Sequence, residues 1–246
     1  MTQRSHQHYI PQFYLRGFVD PCCPGNYEPS VWVYDRGCAT PKRRAPKNIA
    51  AELHFYSVSS ENGKKDTKVE EMLSLLESNT APLWGELEDP AQTLSSKAQS
   101  IIAEFVACMS SRVPAARTWL NTAVNETSKM ILRVLAAHYD DLSENQRQEI
   151  GLSQEDMIQV VNDDDLRFES SQSMHVQTML YVVPRLKPII QKMKWAFLHS
   201  PPQHAFITSD RPVTLVNPRI PLQMGGAGFG VRGVERAGPD VGKAKP

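Results

Sequence analysis

The amino-acid sequence predicts an α+β fold with a mainly helical centre and a small antiparallel sheet, on three observations. Two stretches rich in β-branched and aromatic residues, 30–35 and 53–58, lie near the N-terminus between turn-forming residues and are typical of strands. Apolar residues then recur at helical spacing through the middle of the chain. Finally, the stretches 195–199 and 205–210 flank a turn-forming sequence with two prolines, which predicts a β-hairpin that joins the sheet.

The N-terminal segment 6–18 contains two histidines, two glutamines and four aromatic residues around Pro11. Chain ends usually fray and carry small polar residues unless other parts of the fold hold them. This aromatic density therefore predicts that the segment is buried.

Three consecutive helices are predicted in the middle of the chain. The first has Asp66 as its cap and is limited by Pro82, and the second begins near Ser95 or Ser96. The second helix must end at Pro114, because proline cannot donate the backbone hydrogen bond of a helix interior. Pro114 suits the first turn of the third helix.

A short helix is predicted from Ser153 to Val161, because Ser153-Gln154-Glu155-Asp156 resembles a capping box. The acidic run 162–165 ends it. That run lacks the spacing of a calcium loop, so a solvated turn is expected rather than a cation site. A long helix over 170–192 follows, and its internal prolines, Pro184 and Pro188, are expected to kink or divide it.

The composition argues against several classes of function. The 27 basic residues balance the 27 acidic ones, so no net charge steers the chain toward nucleic acid or an anionic membrane. The local cluster Lys42-Arg43-Arg44 with Lys47 is interpreted as a solvated basic loop. No apolar run is long enough to span a membrane and none resembles a secretory signal, which predicts a soluble cytoplasmic protein. The four cysteines are then expected to be reduced.

The domain organisation follows from the loss of apolar periodicity toward the end of the chain. Residues 1–217 are expected to form a single globular domain. Residues 218–246 are rich in glycine and are interpreted as a flexible or incomplete tail. A glycine cluster within this tail does not keep the spacing of a phosphate-binding loop.

Four residues are candidates for a functional site, and the first is Asp210. Asp210 lies at the end of the predicted strand 205–210, where a bend before Pro212 can direct its carboxylate into a cleft. Aspartate followed by x-Pro also begins ordinary turns, and that alternative stays open.

Glu77 and Arg112 are the next two candidates. Glu77 lies at the border of the apolar stripe of the first predicted helix. Arg112 continues the core-facing ridge of the second helix, so its guanidinium needs a partner. A structural ion pair with Glu77 or with Asp210 is the alternative to a catalytic role.

His8 is the fourth candidate. An imidazole can act as acid, base or metal ligand near neutral pH. A divalent metal would need His8 with His6 and further ligands from Asp210, Glu77 or His54, so a cofactor stays unknown at this stage. The alternative is a core histidine that donates to a backbone carbonyl.

A set of motifs recurs in order along most of the chain and carries a family resemblance. The motifs are His8-x-x-Pro11-Gln12-Phe13-Tyr14-Leu15-x-x-Phe18, the strand from Val31 to Asp35, Lys47-Asn48-Ile49, Leu76-Glu77, Arg112, Trp195 and Phe206-Ile207-Thr208-Ser209-Asp210-x-Pro212-Val213. Together they resemble a bacterial family of unknown function, the one numbered 4238. The resemblance implies a mostly helical intracellular domain with a small sheet and no established activity. Beyond the glycine-rich turn the chain departs from the family pattern, which predicts that a strand and any activity are missing.

Two functions are consistent with these residues. The first is a non-catalytic module that binds a ligand or partner, which the divergent C-terminus slightly favours. The alternative is a metal-dependent hydrolase, possibly nuclease-like, with His8, Glu77, Arg112 and Asp210 in one polar pocket. Substrate and partner are unknown from the sequence.

Overall fold

A computed structural model describes residues 6–23, 25–59, 65–66, 68–87, 93–198 and 206–214. These residues confirm the α+β class, with seven α-helices and six short strands in the described part of the chain. The helices are α1 (Gln12–Arg16), α2 (Lys68–Glu86), α3 (Ser96–Ser111), α4 (Pro114–Ala137), α5 (Glu144–Ile150), α6 (Gln154–Asn162) and α7 (Gln172–Lys192). The strands are β1 (His6–His8), β2 (Val31–Val33), β3 (Lys42–Arg44), β4 (Ala51–Leu53), β5 (Val58–Ser59) and β6 (Lys65–Asp66).

The strands form three antiparallel pairs rather than one sheet: β1 with β4, β2 with β3, and β5 with β6. The predicted strand 53–58 is therefore wrong in its extent. It divides into the end of β4 and the start of β5, because His54 adopts a left-handed backbone conformation with φ of 55° that no strand can continue.

The basic cluster Lys42-Arg43-Arg44 forms strand β3 and not a loop, which corrects the sequence interpretation. Its first two cations are paired, Lys42 with Asp35 and Arg43 with Asp20. The guanidinium of Arg43 also lies 4.6 Å from the ring centroid of Trp32, so these two cations have partners within the hairpin and in Asp20, which precedes it.

The predicted C-terminal hairpin is wrong as far as the described residues extend. Residues 195–198 and 206–210 contain no strand, and residues 199–205 lie outside the described part. The indole of Trp195 instead donates to the carbonyl of Ile190 at the end of α7. Ile207 is 94% exposed, so no neighbouring strand covers it.

The helices follow the sequence more closely. Helix α3 begins after Ser95, whose hydroxyl accepts a hydrogen bond from the backbone of Ala98, and α6 begins at the predicted Ser153 capping box. Pro82 does not end α2, which begins two residues after Asp66 and continues to Glu86. The prolines inside α7 likewise do not divide it, because its packing against α3 outweighs the lost backbone hydrogen bonds.

The core joins the N-terminal segment to α2, α3 and α7. Alanines of α3 such as Ala103 and Ala107 are fully buried and let α7 approach closely. The N-terminal segment is buried only in part: Ile10 and Leu15 are almost inaccessible, its four aromatic residues are partly buried, and His6, Arg16 and Gly17 are exposed. An aromatic cluster holds α1 against α2 and α3, and its rings belong to Phe13, Tyr14, Trp84 and Phe105.

The chain divides into two compact units, residues 1–212 and residues 213–246. The first contains every element listed above. Of the second, only residues 213–214 are described. The predicted boundary between residues 217 and 218 lies outside the described residues and stays a prediction.

Candidate functional site

The N-terminal strand is fixed by a buried glutamine. Side chains alternate along β1, so Gln7 faces inward, and it is 4% exposed. Its Oε1 accepts from the backbone N–H of Tyr56 at 2.6 Å, while its Nε2 donates to Ser57 Oγ at 3.0 Å and to Glu70 Oε2 at 3.1 Å. This one amide therefore connects β1 to the turn after β4 and to helix α2.

Arg112 makes a second connection at the same place. It is the C-terminal cap of α3 and is 2% exposed. Its Nη1 donates to Glu77 Oε1 at 2.8 Å, its Nη2 to the carbonyl oxygen of His8 at 2.5 Å and its Nε to the hydroxyl of Tyr56 at 3.3 Å. The Tyr56 hydroxyl in turn donates to the carbonyl oxygen of Arg112 at 2.7 Å. All three nitrogens of the guanidinium thus have acceptors within the protein.

The electrostatics agree with a charged Arg112. Burial alone lowers the pKa of Arg112, but its neighbours Tyr56, Cys108 and Glu77 raise this pKa, and they prevail, so the group stays protonated. Burial also raises the pKa of Tyr56 well above the ordinary value. Tyr56 is therefore a neutral hydroxyl that both donates and accepts.

His8 contributes a half-buried imidazole. Its Nε2 lies 3.2 Å from the carbonyl oxygen of Lys47. A carbonyl only accepts hydrogen bonds, so Nε2 carries the proton and Nδ1 is left as an acceptor. Burial lowers the pKa of His8 more than the bond to Lys47 and the charge of Glu77 raise it, so the ring is neutral at pH 7.

These groups line an open cleft of about 550 Å³ between the N-terminal segment and α2. This volume lies within the range of small-molecule sites, about 300–1,000 Å³. The Glu77 side chain is 28% exposed, and its second oxygen, Oε2, accepts no hydrogen bond from any described residue. The walls also include His6, Gln12, Phe13, Arg16, Ser74 and Ala81.

Asp210, the fourth candidate, does not line this cleft. It is exposed at a bend, where the Ser209 hydroxyl accepts from the backbone N–H of Arg211. Burial raises the pKa of Tyr9, and the charge of Asp210 raises it further, which places the carboxylate near Tyr9. The structure therefore brings His8, Glu77 and Arg112 together and leaves Asp210 outside the cleft.

Neither Gln7 nor Tyr56 was among the predicted site residues. For Gln7 a signal existed. Side chains alternate across a strand, so Gln7 points to the face opposite His6 and His8, and a polar side chain on a buried face needs hydrogen-bond partners. For Tyr56 the sequence offers no local signal. Its hydroxyl accepts a hydrogen bond from Arg112, 56 residues away, but nothing near it in the sequence marks it as different from an ordinary core tyrosine.

No group of three histidine, cysteine, aspartate or glutamate side chains among the described residues has the proximity of a metal site. Sequence reasoning considered such a set from His6, His8, His54, Glu77 and Asp210. Of these, His6, His8 and Glu77 line the cleft.

Within the described residues, no helix has both the length and the apolar character needed to cross a membrane.

Comparison with known proteins gives a family match. Neither curated proteins nor solved structures gave a match. The family model described as "Protein of unknown function (DUF4238)" matches residues 6–234, which is most of the chain. The chain therefore belongs to the DUF4238 family.

Proposed function

We propose that this protein is a non-catalytic ligand-binding module, and that its ligand is a small molecule with an amino or other nitrogen cation. The site is the cleft between the N-terminal segment and α2. The observation that carries the proposal is the division of roles between Arg112 and Glu77. Each nitrogen of the arginine donates to a protein acceptor, whereas the second oxygen of the glutamate accepts from no described residue and is open to the cleft.

The acceptors of the cleft favour a ligand that donates hydrogen bonds. Glu77 Oε2 and His8 Nδ1 both accept, and Glu70 adds a second carboxylate to the wall. The guanidinium of Arg112 is buried and engaged, which leaves Arg16, exposed at the C-terminus of α1, as the cation of the wall that an anion could meet. An amine therefore finds more complementary groups in this cleft than an anion does.

The same geometry argues against the hydrolase alternative. Stabilising a developing negative charge requires donors directed at the reacting atoms. The donors of Arg112 are directed at His8, Tyr56 and Glu77 instead. The carboxylate of Asp210 also lies outside the cleft, so the set of four proposed for hydrolysis does not share one cavity.

The test is a thermal-shift screen followed by calorimetric titration, with small primary amines and guanidines as probes and the matching carboxylates and phosphates as controls. We expect at least one amine to raise the melting temperature of the wild-type chain. Glu77→Gln removes the charge and is expected to abolish that shift. Glu86→Gln, on the same helix but outside the cleft, is the matched control and is expected to keep it.

A second variant separates ligand binding from the ion pair. Ala81 lines the cleft and takes no part in the hydrogen bonds of Arg112, so Ala81→Phe fills the space and leaves the charges in place. We expect it to fold and to lose amine binding. Stabilisation by anions alone, or amine binding unchanged in both Glu77→Gln and Ala81→Phe, would refute the proposal. Divalent-ion binding that disappears in a folded Asp210→Ala variant would support the hydrolase instead.

A further inference from the structure

The charges of this chain are balanced overall but segregated along it. Residues 126–169 contain eleven acidic and four basic residues, whereas the whole chain carries 27 of each. This segment includes the second half of α4, all of α5 and all of α6. A region of roughly one sixth of the chain therefore has a strong negative charge, which the net charge of the protein conceals.

The same region contains an apolar groove of about 370 Å³, distinct from the cleft described above. Helix α4 forms one wall, and α6 with the segments before and after it forms the other. The lining is almost entirely apolar, and several of its side chains are open to solvent: Ile131 is 50% exposed, and Leu152 and Leu166 are each 37% exposed. The apolar lining residues are Ile131, Leu132, Leu152, Val160, Leu166 and Phe168.

Exposed apolar surface continues beyond the groove along α4. Val134 is 55% exposed and follows Ile131 by three residues, and Met130 is 58% exposed and precedes Val134 by four, so Val134 neighbours both on the helix surface. Contiguous apolar surface of this kind, bordered by polar residues, marks interaction sites in folded proteins.

Hydrogen bonds join the two walls of the groove. The Lys129 ammonium donates to the carbonyl oxygen of Asp163 at 2.6 Å, and Asn125 Oδ1 accepts from the backbone N–H of Phe168 at 3.1 Å. These bonds attach the segment after α6 to α4. The carboxylates of Asp164 and Asp165 are exposed directly beside Leu166 in the chain and make no hydrogen bond to other described residues.

From this combination we infer that the groove between α4 and α6 docks a basic amphipathic helix of a partner protein. A helix lays its apolar face into a groove between helices, and lysines or arginines on its flank meet the exposed carboxylates of Asp164 and Asp165. A second copy of the chain presenting this same face would bring like charges together. The inference concerns a site separate from the amine-binding cleft and does not depend on it.

The test measures fluorescence anisotropy of a labelled amphipathic peptide of about 18 residues, five helical turns, with leucine on one face and lysine on the other. The full chain is expected to bind it with micromolar affinity. Two control peptides, one with glutamate in place of lysine and one with the same residues scrambled, are expected to bind at least about tenfold more weakly.

Variants of the chain locate the binding. Ile131→Ser changes a half-exposed side chain and is expected to weaken binding about tenfold. The pair Asp164→Asn and Asp165→Asn is expected to weaken it about threefold at low salt, a difference that high salt removes. The matched control pair, Glu144→Gln and Glu149→Gln on α5, removes the same charge outside the groove lining and is expected to retain most of the affinity.

Three results would overturn the inference. One is equal binding of the lysine and glutamate peptides. Another is unchanged affinity in Ile131→Ser when that variant melts like wild type. The third is a wild-type dimer in sedimentation that Ile131→Ser dissociates, since the occupant would then be a second copy.

Discussion

Replacing Arg112 with alanine is expected to destabilise the protein by about 3–5 kcal/mol, because it removes one partner of a buried ion pair. Three acceptors lose their donor in this variant: Glu77 Oε1, the His8 carbonyl and the Tyr56 hydroxyl. Each charge-assisted bond of this kind contributes about 1.5–3 kcal/mol. Glu77 is 28% exposed and water can solvate it in part, so the expected loss lies below the simple sum.

The assay is urea unfolding followed by circular dichroism, with thermal melts as a second measurement. For a chain of this length the loss corresponds to a fall in melting temperature of roughly 10 °C. Arg112→Met retains most of the aliphatic packing and is expected to recover only a minor part of the loss. A double-mutant cycle with Glu77→Ala then isolates the ionic contribution.

Arg147 provides a matched control. Its guanidinium also donates to two backbone carbonyls, those of Tyr139 and Asp140, and lies 4.9 Å from the ring centroid of Tyr139. It differs from Arg112 in being partly exposed and in lacking a carboxylate partner among the described residues. Arg147→Ala is expected to cost about 1 kcal/mol or less. Equal losses in Arg112→Ala and Arg147→Ala would refute the argument that burial makes Arg112 a structural centre.

Three further predictions test the pH response, the turn after β4 and the core. Burial lowers the pKa of His8 and His175, so below about pH 6.5 the unfolded chain binds more protons than the folded one. The free energy of unfolding should therefore fall as the pH is lowered from 7.5 to 5.5. An equal fall in the His175→Phe variant would contradict this. The Gln172 amide donates to three carbonyls of the turn after β4, so Gln172→Leu should cost about 1–3 kcal/mol in urea unfolding, whereas exposed Gln177→Leu should cost little. Cys108 is buried with a raised pKa, so one thiol of four should resist a thiol reagent until urea unfolds the chain; reaction of all four at one rate would exclude the described core.

The helices were the most predictable part of the fold, because their signals are local. Ser95 and Ser153 accept hydrogen bonds from the first turns of α3 and α6, and both are visible in the sequence as caps. The strands were less predictable, because a strand needs a partner that the sequence does not name. Thus 206–210 has strand composition without a strand, while the polar Lys42–Arg44 pairs with β2.

The site was predictable in its residue types and not in its grouping. Arg112 needed a buried partner, and the sequence offered Glu77 and Asp210 without a means to choose. The structure pairs it with Glu77, 35 residues away, because the end of α3 lies beside α2. The hydrogen bond to the His8 carbonyl spans 104 residues and involves the backbone, so no pattern of side chains could indicate it.

In the proposed function, the structural role of Arg112 and ligand binding in the cleft depend on one another. The Arg112 guanidinium holds the His8 carbonyl, and this bond fixes the backbone from which the His8 ring projects toward the cleft. The Lys47 carbonyl fixes the proton of that ring on Nε2 and leaves Nδ1 as an acceptor. A buried arginine whose three nitrogens all donate within the protein therefore determines where the acceptors of the cleft lie. Variants of Arg112 should accordingly weaken amine binding and stability together, whereas Ala81→Phe should weaken binding alone.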